Sequence, residues 1–127
     1  MIFFADQQMS SQLTSFIPIL DGTNYQQWAS SMQSYLMSQG QWKCVKTGAT
    51  APVLKSEATS EDKFTGTQEE IDSWHEDEEK ALGNIRLRLH FTIRAQYSEY
   101  EFPATLWATL CYERSPSGLE KFKNIET

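Results

Sequence analysis

The stretch from Leu20 to Val45, LDGTNYQQWASSMQSYLMSQGQWKCV, constrains the fold more than any other part of the chain. Tyr25, Trp28, Ala29, Met32, Tyr35 and Leu36 recur at spacings of three and four, which puts them on one stripe of an α-helix. Asp21, Gly22 and Thr23 supply a turn, with the Thr23 hydroxyl as the expected N-cap for the unpaired amides of the first turn. Gly40 is expected to end the helix by taking a positive φ. Trp42 and Val45 form a second short apolar group, placed to fold back onto the stripe. A stripe this wide and aromatic needs a partner surface, because packing rather than propensity stabilises most protein helices.

That surface is encoded downstream. Thr67 and Glu70 have the spacing of a capping box, and Glu69, Glu70 and Asp72 complement the positive end of the helix that follows. Ile71, Trp74, Ala81, Leu82, Ile85 and Leu89 keep a helical period, interrupted on the same stripe by Glu78. Phe91, Ile93 and Tyr97 continue it less cleanly, so a bend near His90 or a separate short helix through Tyr100 is expected. Pro103 occupies a favoured first-turn position, and Leu106, Trp107, Leu110 and Cys111 give the next stripe. Ser115-Pro116-Ser117-Gly118 breaks it, and Leu119, Phe122 and Ile125 begin a further helix.

The connecting segments carry no such period. Residues 6–16 are rich in Gln and Ser and read as a loosely packed arm. Phe16 to Leu20, with Pro18 inside, reads as an extended lead-in whose Phe16, Ile17 and Leu20 staple onto the stripe. Lys46 to Gly66 reads as one long loop bearing Glu57, Glu61 and Asp62. No alternating run bounded by hairpin turns is present. The fold class is therefore all-α: a small bundle of about five helices with a long acidic loop between the first helical region and the second. Residues 1–19 form the arm and lead-in, and residues 20–127 the helical domain, its last helix cut short.

Two blocks of this sequence resemble a known family. Leu20, Gly22, Asn24, Tyr25, Trp28, Met32, Leu36, Gly40 and Trp42 look like the opening of the Gag polyprotein of copia-type long-terminal-repeat retrotransposons. Trp107, Leu110 and Tyr112, following Ala104, are similar to that family's later block. The resemblance implies a helical capsid N-terminal domain acting by self-association, with itself as partner. Separately, the isolated cysteines and the lack of a signal-peptide pattern at Met1 to Ala5 make a reduced cytosolic or nuclear setting the default, and a cytoplasmic one is expected. The resemblance also leaves room for a domesticated, Gag-derived module that takes a host protein or peptide in a helical groove. The zinc knuckle through which such polyproteins bind RNA is missing from these residues, so the chain reads as a fragment or a short derived gene product.

Charge and chemistry point the same way. Eleven basic against seventeen acidic residues give a formal charge of −6, and the basic ones are scattered, so RNA is expected to bind only weakly. Arg86, Arg88, His90 and Arg94 spread over several helix faces. His75, among Glu76, Asp77, Glu78 and Glu79, lacks a second His at ligand spacing and reads as a solvated face. Cys44 and Cys111 lie too far apart in sequence to suggest a zinc or redox pair. Neither a phosphate-cradling glycine loop nor a nucleophile elbow is found. No catalytic residue, metal or cofactor is expected, and no run reaches membrane-spanning length. The aromatics read as core rather than as base-stacking platforms, which need a basic groove.

One feature remains for function. Gln26, Gln27, Ser30, Ser31, Gln33 and Ser34 form a polar face of the first helix that carries no charge. Such a face is cheaper to desolvate than one of Lys and Glu, which suits a contact that forms and releases. A plain solvated face is the other reading.

Overall fold

The computed structural model describes residues 15–62 and 64–116. Four α-helices run in order: α1 (Tyr25–Ser38), α2 (Gln68–Leu87), α3 (Phe91–Gln96) and α4 (Pro103–Arg114). The described chain is thus mostly helical. The fifth expected helix, from Leu119, and the arm up to Thr14 lie outside the described residues.

The ends of α1 show one correction and one agreement. Asn24 is the N-cap residue, and no side chain caps the helix. Thr23 instead serves Asp21, whose Oδ1 accepts from the Thr23 hydroxyl at 2.6 Å and from the Thr23 amide at 2.9 Å. The helix starts one residue later than Thr23 as cap would require, and the bonds from the Thr23 side chain and backbone hold the Asp21 carboxyl below the usual carboxylate range. At the other end Gly40 takes φ +71°, and the Gln41 amide returns to the Leu36 carbonyl at 2.8 Å. This is a Schellman-type end, which a side chain at position 40 would strain.

Helix α2 starts as its sequence says, with the Thr67 hydroxyl accepting from the Glu70 amide at 3.2 Å. It stops at Leu87, and His90 caps α3 by accepting from the Thr92 amide at 3.3 Å. The bend is thus a true break. Leu20 fills it: its amide donates to the Arg88 carbonyl at 2.8 Å, and its carbonyl accepts from the His90 amide at 2.9 Å. The Trp28 indole Nε1 donates to the same Arg88 carbonyl at 2.9 Å.

The segment between α1 and α2 is more ordered than its composition suggests. β1 (Val53–Leu54) and β2 (Thr65–Gly66) pair in parallel, Val53 opposite Thr65 and Leu54 opposite Gly66. The all-helical reading missed this small sheet, and the single long loop is corrected accordingly. Two-residue strands are too short to display a period of two. A 3₁₀ turn at Lys55–Glu57 and a Thr59–Asp62 turn, in which Asp62 Oδ2 accepts from the Thr59 amide at 2.8 Å, fill the space between them.

All four helices contribute to one core. Trp28, Met32 and Leu36 of α1 meet Ala81 and Ile85 of α2, Ile93 of α3, and Leu106 and Leu110 of α4. Ile17, Leu20, Val45, Leu89 and Tyr97 complete the cluster. Trp28 stacks on Trp107 with ring centroids 5.5 Å apart, and Trp42 meets Trp107 edge-on at 5.3 Å. Polar ties lock the periphery: Lys43 to Asp77 at 2.7 Å, Asn84 to Gln41 at 2.8 Å, and Arg114 to Gln96 at 2.7 Å. The Tyr97 hydroxyl donates to Glu113 and accepts from Arg114 Nε, binding α4 to the end of α3.

Two stability predictions follow from this core. Trp28→Ala removes the stacking partner of Trp107 and the indole donor to Arg88, and should cost about 3–5 kcal/mol in denaturant titration. The second concerns pH. Burial pushes the Cys44 thiol up from about 9 to about 11, so the folded chain holds its proton where the unfolded chain loses it. Stability should be flat in this group below pH 9 and fall as pH rises from 9 to 11, by up to about 1.4 kcal/mol per pH unit. Urea titrations at pH 8, 9 and 10 should show that slope in the native chain and a shallower one in Cys44→Ala.

Candidate interaction surface

The surface around α1 is built from the helix's own repeat. Turning 100° per residue, α1 commits Trp28, Met32 and Leu36 to the core and sends Gln27, Ser30 and Ser34 to the opposite side. Gln26, Gln27, Ser30 and Ser34 are exposed, while Ser31 and Gln33 are half-buried.

The structure divides this face between two clefts. Ser30, Ser31 and Ser34, with Tyr35 and Ser38, line a cleft of about 340 Å³ against Phe16 and Ile17 of the lead-in. Gln26 and Gln27 line another of about 380 Å³, where the turn at Gly22–Asn24 meets Arg114 and Pro116. Gln33 lines neither. The six residues carry no charge of their own, and Arg114 adds a charged residue to the cleft lining at the Gln end. That neighbour comes from the far end of the described chain, and no local pattern announces it.

Phe16 does not join the staple. Ile17 and Leu20 are buried as the staple requires, but Phe16 is 79% exposed. Residues 15–17 form a turn rather than continuing the extended lead-in, which sends neighbouring side chains to opposite sides. The composition of the lead-in gives no sign of this turn.

The twelve residues that resemble the retrotransposon pattern mostly have plain structural jobs. Leu20, Trp28, Met32, Leu36 and Leu110 are fully buried, and Tyr25, Trp42 and Trp107 pack half-buried against them. Gly22 and Gly40 take φ of +99° and +71°, a region that costs other residues strain. Asn24 donates to the Ile19 carbonyl at 2.9 Å and accepts from the Asp21 amide at 3.2 Å, closing the turn. Tyr112 differs, being 46% exposed. No family model, curated protein or solved structure matches this chain.

Reactive side chains are dispersed. No group of three or more His, Cys, Asp or Glu able to hold a metal ion occurs among the described residues. His75 pairs with Glu78 at 3.3 Å on the open side of α2. Cys111 lies at the surface beside Tyr25, whose hydroxyl proton is held more tightly than usual by burial and then by contact with that thiol. A third cleft, of about 560 Å³, runs between the Val45–Ala49 turn and the Ala104, Trp107 and Ala108 side of α4. No described helix is long and apolar enough to cross a membrane.

Proposed function

We propose that this chain is a structural domain that acts by self-association, the capsid N-terminal module of a copia-type Gag. The observation that carries the reading is the meeting of its two family-like blocks: Trp28 of the first stacks on Trp107 of the second inside one core. Residues separated in sequence but shared with the pattern thus make one packing unit.

Self-association would use the outer side of α1. Substituting Lys at both Gln27 and Ser34 should leave the helix folded, because both positions are exposed and opposite Trp28. It should weaken association through like-charge repulsion across a contact between copies. Sedimentation velocity over a concentration series, wild type beside the double variant, is the measurement. A wild-type chain that stays monomeric throughout would refute the reading.

RNA recruitment belongs elsewhere on this reading. With a net charge of −6, the chain should bind single-stranded RNA only weakly at physiological salt, and what binding exists should vanish as salt rises. Filter binding at two ionic strengths tests this, and a salt-resistant submicromolar affinity would contradict it.

A second reading, a Gag-derived module for a host peptide, draws on the 560 Å³ cleft beside Trp107. It predicts a monomer that retains a helical peptide in a pulldown, whereas the capsid reading predicts assembly without one.

A further inference from the structure

The most unusual surface property of the molecule is where its charge is not. From Gly22 to Trp42 there is no Asp, Glu, Lys or Arg, so the chain's eleven basic and seventeen acidic residues all lie outside that stretch. Ordinary domains carry a charged residue about every four positions. On a molecule of net charge −6, two copies repel wherever their acidic surfaces face each other. The outer side of α1 is a place where they can approach without that cost.

The same side has relief. Phe16 projects from the lead-in with 79% of its surface open, and beside it lies the cleft of about 340 Å³ floored by Ser30, Ser31 and Ser34. None of the residues lining this cleft is charged. Hydroxyls of this kind are easily satisfied by one another or by bridging water, so covering them strands no ion. A patch carrying both a projecting aromatic ring and a hollow is complementary to itself, which is the requirement for a twofold contact between identical chains.

We propose that Phe16 of one copy enters the cleft beside α1 of a second copy, and reciprocally, in a twofold contact centred on Phe16, Ser30 and Ser34. The occupant is this chain itself. The proposal rests on the self-association reading above and gives it a geometry. The contact is small: α1, with its 14 residues, is about 21 Å long and roughly 10 Å wide, well below the footprint of about 800 Å² per partner in stable complexes. The pair is accordingly weak and reversible, with Phe16 as its anchor.

The test uses the full chain with Cys111→Ser, which leaves Cys44, buried, as the native thiol. Ser34→Cys in that background should oxidise to a covalent dimer at least about tenfold faster than a Ser56→Cys control on the exposed 3₁₀ turn. Adding Phe16→Ser should abolish the advantage, and Phe16→Ser alone should raise the dissociation constant in sedimentation at least about tenfold. Circular dichroism and thermal melting confirm that each variant is folded, and Phe16→Leu should retain most of the association. If the wild type associates and Phe16→Ser associates equally, this contact is overturned while self-association stands. If the wild type does not associate at all, both fall. A Ser34 thiol that is protected from alkylation in the monomer assigns the cleft to the chain's own amino-terminal residues and also overturns the proposal.

Discussion

The Arg88 carbonyl is the point on which the packing turns. At 2.8 and 2.9 Å it accepts from the Leu20 amide and the Trp28 indole, so lead-in, α1 and the end of α2 share one oxygen. That oxygen can take both donors because α2 stops at Leu87, so the helix does not continue to supply an amide for it. Trp28 is fully buried and brings one polar atom into the core, and a buried indole N–H left unpaired would cost roughly 1–3 kcal/mol. The two defects cancel. A large aromatic ring can therefore sit at the centre of a small core, stacked on Trp107, without a stranded donor.

This explains which parts of the fold could be read from the sequence. Helical stripes, the Thr67 cap, the Gly40 end and Pro103 at the start of α4 are local, each specified within about two turns of chain. What escaped was non-local or too short. The Leu20–Leu89 bridge joins residues far apart in sequence, and β1 and β2 have two residues each. Thr23 failed as a cap because α1 begins one residue later, which puts Asn24 at the N-cap position and leaves Thr23 in the preceding turn with Asp21.

The surface was harder to read for the same reason. A helical wheel gives the polar side of α1 correctly, since it depends only on the repeat, but not what the tertiary fold sets beside it. Arg114 arrives next to Gln26 and Gln27, and Phe16 next to Ser30 and Ser34, splitting one expected face into a charged end and an uncharged one. The Arg114 guanidinium itself donates to Gln96 and to the Tyr97 hydroxyl, which directs its charge toward the end of α3. The two ends of α1 therefore offer different chemistry to a neighbour.

Core and surface are not independent here. The lead-in that presents Phe16 is fixed by its next residues: Ile17 and Leu20 are buried, and Leu20 is pinned between Arg88 and His90. Loss of the Trp28 donor would weaken the assembly of groups around the Arg88 carbonyl and loosen the segment from which Phe16 projects. Substitutions deep in the core should then reach the exposed aromatic through the backbone, without touching it. An uncharged, aromatic patch is a liability in an unfolded chain, where it would collapse or aggregate indiscriminately. Because its geometry is tied to the completed core, the patch takes this shape only in molecules that have folded.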